Sequence, residues 1–329
     1  MTLAVIIAGI LLYHFSLPFL AERHFRDGYN LSQMGRYKYA IEELEAAVAL
    51  SPWETHYMVQ LGKSYEKFSE KQPTTKGKID YLLRAERLYQ RMLILDSQNP
   101  WYINRIAIVY NSLIPLTPDK KDALTAGAEV YSRRAAEADL NNPLFQLNLA
   151  YFLHRHGKMD ESEPYYKRVI EIDDRMLEAR YNLADIYNKQ KLPEKRLEQY
   201  LAIHEANPTF PKIRLAIAST YLQLKDKKSP IPYLEKEVEI NPNGLDPLKT
   251  LVTLYHQNKD WNKAVPLYKR ILTLYPKEAK FHPYYIQALV NTRQIPLAIS
   301  ELQARIKSNP EDAVASKQLK KLKSILSTR

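Results

Sequence analysis

Apolar and small side chains recur along this chain in paired sets. In 245–278, Leu248, Leu251 and Tyr255 take the large positions of a first helix and Val252 a small one. Lys259-Asp260-Trp261 makes a turn, Ala264, Tyr268 and Ile271 follow on a second helix, and Pro276 stops it. The stretch 279–312 repeats the set with Tyr285, Leu289, Ala298, Leu302 and Pro310. The stretch 211–244 gives Ile217, Ala218, Tyr221, Leu234 and Pro242, and 177–210 gives Leu183, Ala184, Tyr187, Tyr200 and Pro208. Upstream, 143–176 carries Leu149, Ala150, Gly157 and Tyr166, with Asp174 in the proline's place. The first set, 21–54, holds Gly28, Gly35, Ala40, Leu44, Ala47 and Pro52. Pro208, Pro242, Pro276 and Pro310 therefore stand 34 residues apart, three times running. A helix stopper at one fixed interval marks a two-helix unit that buries its apolar face only by stacking on its neighbours.

Two sets are stretched. After 55, Leu61, Gly62 and Tyr65 mark a first helix, and its partner with Ala85, Tyr89 and Met92 comes 11 residues late. After 100, Ile106, Ala107 and Tyr110 are followed nine residues late by Ala128 and Ala135. The inserts, 72–77 and 114–119, are rich in Pro, Gly and Thr and read as surface loops. Pro164, Pro232 and Pro266 fall near the start of second helices, which implies a late start or a kink at each. Leu319, Leu322, Ile325 and Leu326, with lysines opposite, suit a terminal capping helix over 313–329.

The period and the residues at these positions resemble the tetratricopeptide repeat over nearly the whole chain. The resemblance implies an all-α, right-handed superhelical solenoid of about eight helix-turn-helix repeats with a C-terminal capping helix. The repeats are placed near 21–54, 55–99, 100–142, 143–176, 177–210, 211–244, 245–278 and 279–312, so that the solenoid covers 22–312. It further implies protein or peptide binding in a concave groove lined by the first helices.

Residues 3–20, LAVIIAGILLYHFSLPFL, bear no formally charged side chain. Eighteen residues at ~1.5 Å rise span roughly 27 Å, close to bilayer thickness. No Lys or Arg precedes Glu22, and the Leu17–Ala21 region is a poor cleavage site. The reading is a retained transmembrane anchor over 1–21, in preference to a cleaved signal or an apolar helix packed on the first repeat. Arg23, Arg26, Arg36 and Lys38 follow the run, which places the solenoid on the cytoplasmic side of a single-pass membrane protein.

Composition narrows the chemistry. With 26% charged and 45% hydrophobic residues the chain is ordinary for a folded protein. It has no cysteine, which excludes disulfides, thiolate metal sites and cysteine nucleophiles. Its +11 formal charge suits a solvated basic surface, or else nucleic acid, anionic lipid or an acidic partner. The glycines number eight and form no phosphate-cradling loop. His154 and His156, the one close histidine pair, point to different sides of a helix. No nucleophile has a plausible partner, so neither an enzyme nor a cofactor, metal or small-molecule substrate is expected, and the groove lacks the basic and aromatic concentration that nucleic acid requires.

Groove-facing positions of the first helices hold Asn104 and Arg105, then Asn148, Tyr151, His154 and Arg155. They continue with Tyr181, Asn182, Asp185, Asn188 and Lys189, then Ser219, and then Lys249, Thr253 and His256. Asparagine amides both donate and accept, as a peptide backbone requires, and Asn148 and Asn182 share one repeat position. Tyr181 and Leu147 stand where a carboxylate-clamping member of the family would need lysine.

A second resemblance rests on layout. An apolar terminal helix leads into Arg26-Asp27-Gly28-Tyr29, Gly35-Arg36-Tyr37, Ala40-Ile41, Leu50-Ser51-Pro52-Trp53, Tyr57, Leu61-Gly62 and Tyr65, followed by two expanded repeats. This looks like the C-terminal repeat region of O-antigen ligase or polymerase-like membrane proteins, over residues 1–175. The leading functional expectation is a membrane-anchored scaffold binding a protein or peptide of the membrane or envelope; the alternative is an accessory part of a polysaccharide ligase or polymerase system.

Overall fold

The computed structural model describes residues 2–327, with side chains from Ser16 to Ser324. Among these residues it contains seventeen α-helices and no strand, so the all-α expectation holds. The chain divides into two units, one ending at Ala179 and the other beginning at Arg180.

In the first unit the helices pair antiparallel along the chain. α1 (Thr2–Gln33) packs on α2 (Tyr37–Leu50), and α3 (Thr55–Glu70) on α4 (Thr75–Leu95). α5 (Pro100–Leu113) packs on α6 (Lys121–Ala138), and α7 (Pro143–Arg155) on α8 (Met159–Ile172). A continuous core runs through Leu44, Met58, Leu61, Tyr89, Met92 and Ile106, all nearly inaccessible to solvent. Gly62 lies against the Tyr89 ring so closely that a Cβ there would sit 2.5 Å from it, which is why this position of α3 carries no side chain.

α9 (Leu177–Lys189) contains the division between the units. In the second unit, α10 (Pro193–Ala206) is followed by α11 (Ile213–Gln223) with α12 (Pro230–Ile240) and α13 (Leu245–Gln257) with α14 (Trp261–Leu274). α15 (His282–Asn291) packs on α16 (Ile295–Ser308), and α17 (Ala313–Ser327) lies on α16. Leu248, Tyr268, Ile271, Tyr285 and Leu289 form its core.

Helix lengths are set by stop signals. Ser51, Asn207, Asn241, Tyr275 and Asn309 each precede a proline and each end a helix, with φ between −117° and −147°. The proline ring disfavours helical backbone in the preceding residue, so the helix closes there. α4, α6 and α8 stop without proline at Asp96, Asp139 and Asp173. The Asp139 and Asp173 carboxylates accept the N–H two residues on, at 3.2 and 3.1 Å, a local turn that competes with helix continuation.

The turn inside six of the pairs, all but α3–α4 and α5–α6, is equally regular. Gly35, Gly157, Lys191, Lys225, Lys259 and Arg293 have φ between 60° and 79°. At each, the N–H of the following residue bonds the carbonyl five residues back, as from Lys158 to Leu153 and from Asp260 to Tyr255. This is the Schellman closure, which needs a left-handed residue and prefers glycine.

These elements revise the reading of the inserts and place the early prolines. The two inserts are mainly structured: α4 and α6 extend to 21 and 18 residues against 14 in α2, and Thr74 Oγ1 caps α4 by accepting the Gly77 N–H at 3.1 Å. The second insert folds as 3-10 turns at Ile114–Leu116 and Pro118–Lys120. Of the early prolines, Pro232 sits in the first turn of a late-starting α12, whereas Pro164 and Pro266 lie inside α8 and α14.

The transmembrane anchor and the single-pass membrane localisation are corrected. Among the described residues no helix is long and apolar enough to cross a membrane. Past the apolar run α1 continues through Glu22, Arg23, Arg26 and Asp27 to Gln33, and Ala21 is fully buried in the core of the first unit. Most of 3–20 lies outside the described side chains.

Two measurements follow from the turns and from a buried histidine. Gly157→Ala is expected to cost about 1 kcal/mol in urea denaturation followed by circular dichroism, whereas Lys259→Gly, relieving left-handed strain, is expected to gain about 0.5 kcal/mol. His282, at the head of α15, is 9% exposed. Burial, assisted by Arg305 and opposed by Asp312, lowers its pKa to about 4. The unfolded chain then binds the proton more readily, so the stability contributed by neutral His282 is complete above about pH 6.5 and is lost as pH falls from there through about 4. Melting curves between pH 7 and 4.5 are expected to fall less steeply for His282→Phe than for the intact chain.

Candidate functional site

The first helices of the first unit line a cavity of about 810 Å³. α1 contributes Tyr29, Ser32 and Gln33; α3 contributes Gln60, Lys63, Glu66 and Lys67; α5 contributes Arg105, Ile108 and Ser112. The walls are cross-linked. Gln60 Nε2 donates to Ser32 Oγ at 2.8 Å, tying α3 to α1, and Ser32 Oγ donates to the Tyr29 carbonyl at 2.7 Å. Glu66 accepts the Tyr89 hydroxyl at 2.6 Å and lies 2.7 Å from the Arg105 guanidinium, tying α3 to α4 and α5. Burial pushes the Glu66 carboxyl above the usual carboxylate range, and Arg105 and Tyr89 offset only part of that. Exposed Gln33, Lys63 and Ser112 stand on three successive first helices.

The second unit has a smaller cavity, about 480 Å³, between α11, α13 and the approach to α15. Its floor is Leu222, Leu254 and Phe281, and Lys225, Lys227, Lys249 and Lys280 stand around it.

Of the residues expected to face a groove, Arg105 enters the first cavity, and Lys249 and Thr253 the second. Asn104 is buried, and its Oδ1 accepts the Asn148 amide at 3.0 Å, so that pair joins α5 to α7. Asn148 and Asn182 fall in different units, and Asn182 is half-buried. Tyr151 and Arg155 are exposed on α7. Tyr181 rests near Tyr200 and Phe210, with ring centroids 5.9 and 5.7 Å away. Asp185 pairs with Lys189 at 3.0 Å, Asn188 accepts from the Arg196 guanidinium, and Ser219 is exposed.

His154 and His256 serve as inter-helix clips. His256 Nδ1 lies 2.9 Å from the Tyr268 hydroxyl, with Trp261 and Tyr284 edge-on to its ring, and burial lowers its pKa. His154 Nδ1 lies 3.4 Å from the Tyr166 hydroxyl. The positions naming Arg105 and Lys249 would also have named Gln60, Lys63, Glu66 and Lys67 had they been applied to the first two pairs. Lys225 and Lys227 sit in a turn, outside any helix-position rule. Among the described residues no group of three or more His, Asp or Glu side chains could hold a metal ion.

The sequence profile of the tetratricopeptide repeat matches residues 124–176, and a second profile of the same description matches 211–243. The chain contains tetratricopeptide repeats. Its fold is similar to that of a chain in the structure of Naa15/Naa10 bound to HypK-THB, at 13% identity and a TM-score of 0.55, over 80% of this chain and 39% of that one. It is similar also to Pseudomonas aeruginosa pilF, at 15% identity and a TM-score of 0.50, over 71% of this chain and 97% of that one. YrrB, described as a TPR protein with an unusual peptide-binding site, aligns at 16% identity and a TM-score of 0.44, over 57% of this chain and 97% of that one. The comparisons lend no support to the resemblance to O-antigen ligases. Tetratricopeptide repeats imply a protein-interaction scaffold, and proteins built from them are generally non-catalytic.

The Glu66–Arg105 pair makes a stability test of this TPR surface. Glu66→Ala, leaving Arg105 desolvated and uncompensated, is expected to cost about 3 kcal/mol in urea denaturation, whereas Glu66→Leu combined with Arg105→Leu is expected to recover most of that loss.

Proposed function

We propose that this protein is a non-catalytic adaptor whose first-helix faces bind an extended peptide or a helix of a partner protein. The observation that carries this reading is the cavity spanning α1, α3 and α5, because its accessible groups match a peptide. Gln33 offers a side chain that both donates and accepts, as backbone amides and carbonyls require; Ser112, whose hydroxyl donates to the Ile108 carbonyl at 3.0 Å, offers an acceptor, and Lys63 adds a cation. The Glu66–Arg105–Tyr89 network ties α3 to α4 and α5, and Gln60 ties α3 to α1 through Ser32, so the walls are fixed before a ligand arrives, which lowers the ordering cost of binding. Asn104 acts in this reading as the support that orients Asn148, and Arg105 as the support of the cavity wall. Tyr151 and Arg155 extend the face along α7, and Tyr181, Asn182, Asp185, Asn188, Lys189, Ser219, Lys249 and Thr253 form the corresponding face of the second unit.

A peptide library displayed on phage and panned against the intact chain tests this. Selected peptides are expected to lose at least about tenfold in affinity against Gln33→Ala/Lys63→Ala/Ser112→Ala, with an unchanged melting curve. Peptides that bind this variant as well as the intact chain would remove the α1–α3–α5 face from the proposal.

A further inference from the structure

The lysines around the second unit's cavity are not equivalent. Lys249 Nζ lies 3.4 Å from Glu278 Oε1, and Lys280 Nζ 3.2 Å from Glu278 Oε2, so one carboxylate serves two of the four. Lys225 and Lys227 are exposed and pair with no carboxylate among the described residues. Asp226, between them in sequence, is committed elsewhere: its Oδ1 accepts the Lys228 and Ser229 N–H groups at 2.9 and 3.1 Å before α12. No Asp or Glu lines the cavity itself. Its floor is apolar, with Leu254 buried and Phe281 covered by the Lys280 ammonium at 5.7 Å from the ring centre. Thr253 and Thr250 donate their hydroxyls to carbonyls one turn back on α13, so each presents an acceptor's lone pairs rather than a free donor.

We infer that this cavity receives an acidic peptide segment in which Asp or Glu side chains flank an aliphatic residue. The carboxylates meet Lys225 and Lys227, and the aliphatic side chain rests on Leu222, Leu254 and Phe281. The inference rests on the reading that first-helix faces bind peptides and gives that reading a ligand class in the second unit. A single-stranded nucleic acid fits less well, because sequence-tolerant binding of that kind stacks bases on open aromatic faces. The one aromatic ring of this floor already has a cation against it. The polarity also explains specificity: two charges without internal partners attract an anion, while the Glu278-held pair gives the far wall a fixed position.

The test is fluorescence anisotropy on the full chain with a labelled peptide of alternating Glu and Leu. The same peptide with Gln for Glu, and a labelled oligothymidylate of equal charge, serve as comparisons. The acidic peptide is expected to bind at least about tenfold tighter than its Gln counterpart and to weaken as salt rises to about 0.5 M. Lys225→Glu/Lys227→Glu is expected to weaken it at least about tenfold. Lys269→Glu/Lys277→Glu, an equal charge change at exposed lysines outside the cavity, is expected to leave affinity within about twofold. Equal losses in both variants would mean attraction to net charge alone and would overturn the assignment. So would absence of binding to the intact chain, or tighter binding of the oligothymidylate that Lys225→Glu/Lys227→Glu abolishes. If phage-selected peptides bind through α1, α3 and α5 while the Glu/Leu peptide fails here, this inference falls and the adaptor reading stands.

Discussion

The structure depends on making helices stop. A tetratricopeptide unit works only if its second helix ends at a fixed length, because the next first helix must begin where it can cover the apolar stripe just laid down. Proline does this after α2, α10, α12, α14 and α16 by forcing the preceding residue out of helical space. Aspartate does it after α4, α6 and α8. In Asp139 and Asp173 the means is visible: the side chain captures a nearby N–H. Two different chemistries thus give the same geometry, and the burial of Leu44, Tyr166, Tyr268 and their neighbours follows from where these stops fall.

Within the pairs, a second device recurs. A polar residue late on the first helix reaches a tyrosine on the second: Glu66 to Tyr89, His154 to Tyr166, His256 to Tyr268. The tyrosine ring fills the space between helices while its hydroxyl finds a partner, so a large aromatic is buried without an orphaned polar atom. The first cavity inherits its rigidity from one of these bonds, since Glu66 serves both Tyr89 and the wall residue Arg105.

The helical architecture was legible because steric period survives in sequence: Pro208 to Pro310, and small residues such as Ala264 and Ala298, mark positions that only packing explains. The inserted stretches were harder, since Thr75 to Gly77 reads as a loop until Thr74 is seen to cap the helix. The transmembrane reading failed because it scored 3–20 by hydropathy alone, whereas among the described residues no helix is long and apolar enough to cross a membrane, and α1 carries Glu22, Arg23, Arg26 and Asp27 in its later turns. The site was legible in part. A position rule finds Arg105, Lys249 and Thr253, but it cannot tell that Asn104 would be spent on Asn148, nor that His256 would be enclosed by Trp261 and Tyr284. Those outcomes depend on partners one repeat or one helix away. Lys225 and Lys227 gave no signal because a lysine in a turn reads as solvated surface.

The left-handed turns divide unevenly between the units. In the first they fall on Gly35 and Gly157; in the second, on Lys191, Lys225, Lys259 and Arg293. Glycine would relax every one of these backbones, yet it would also erase a cation that returns once per repeat. At those four positions conformational ease and surface charge therefore pull against each other, and a variant optimised for thermal endurance would drift toward a less basic, less adhesive second unit.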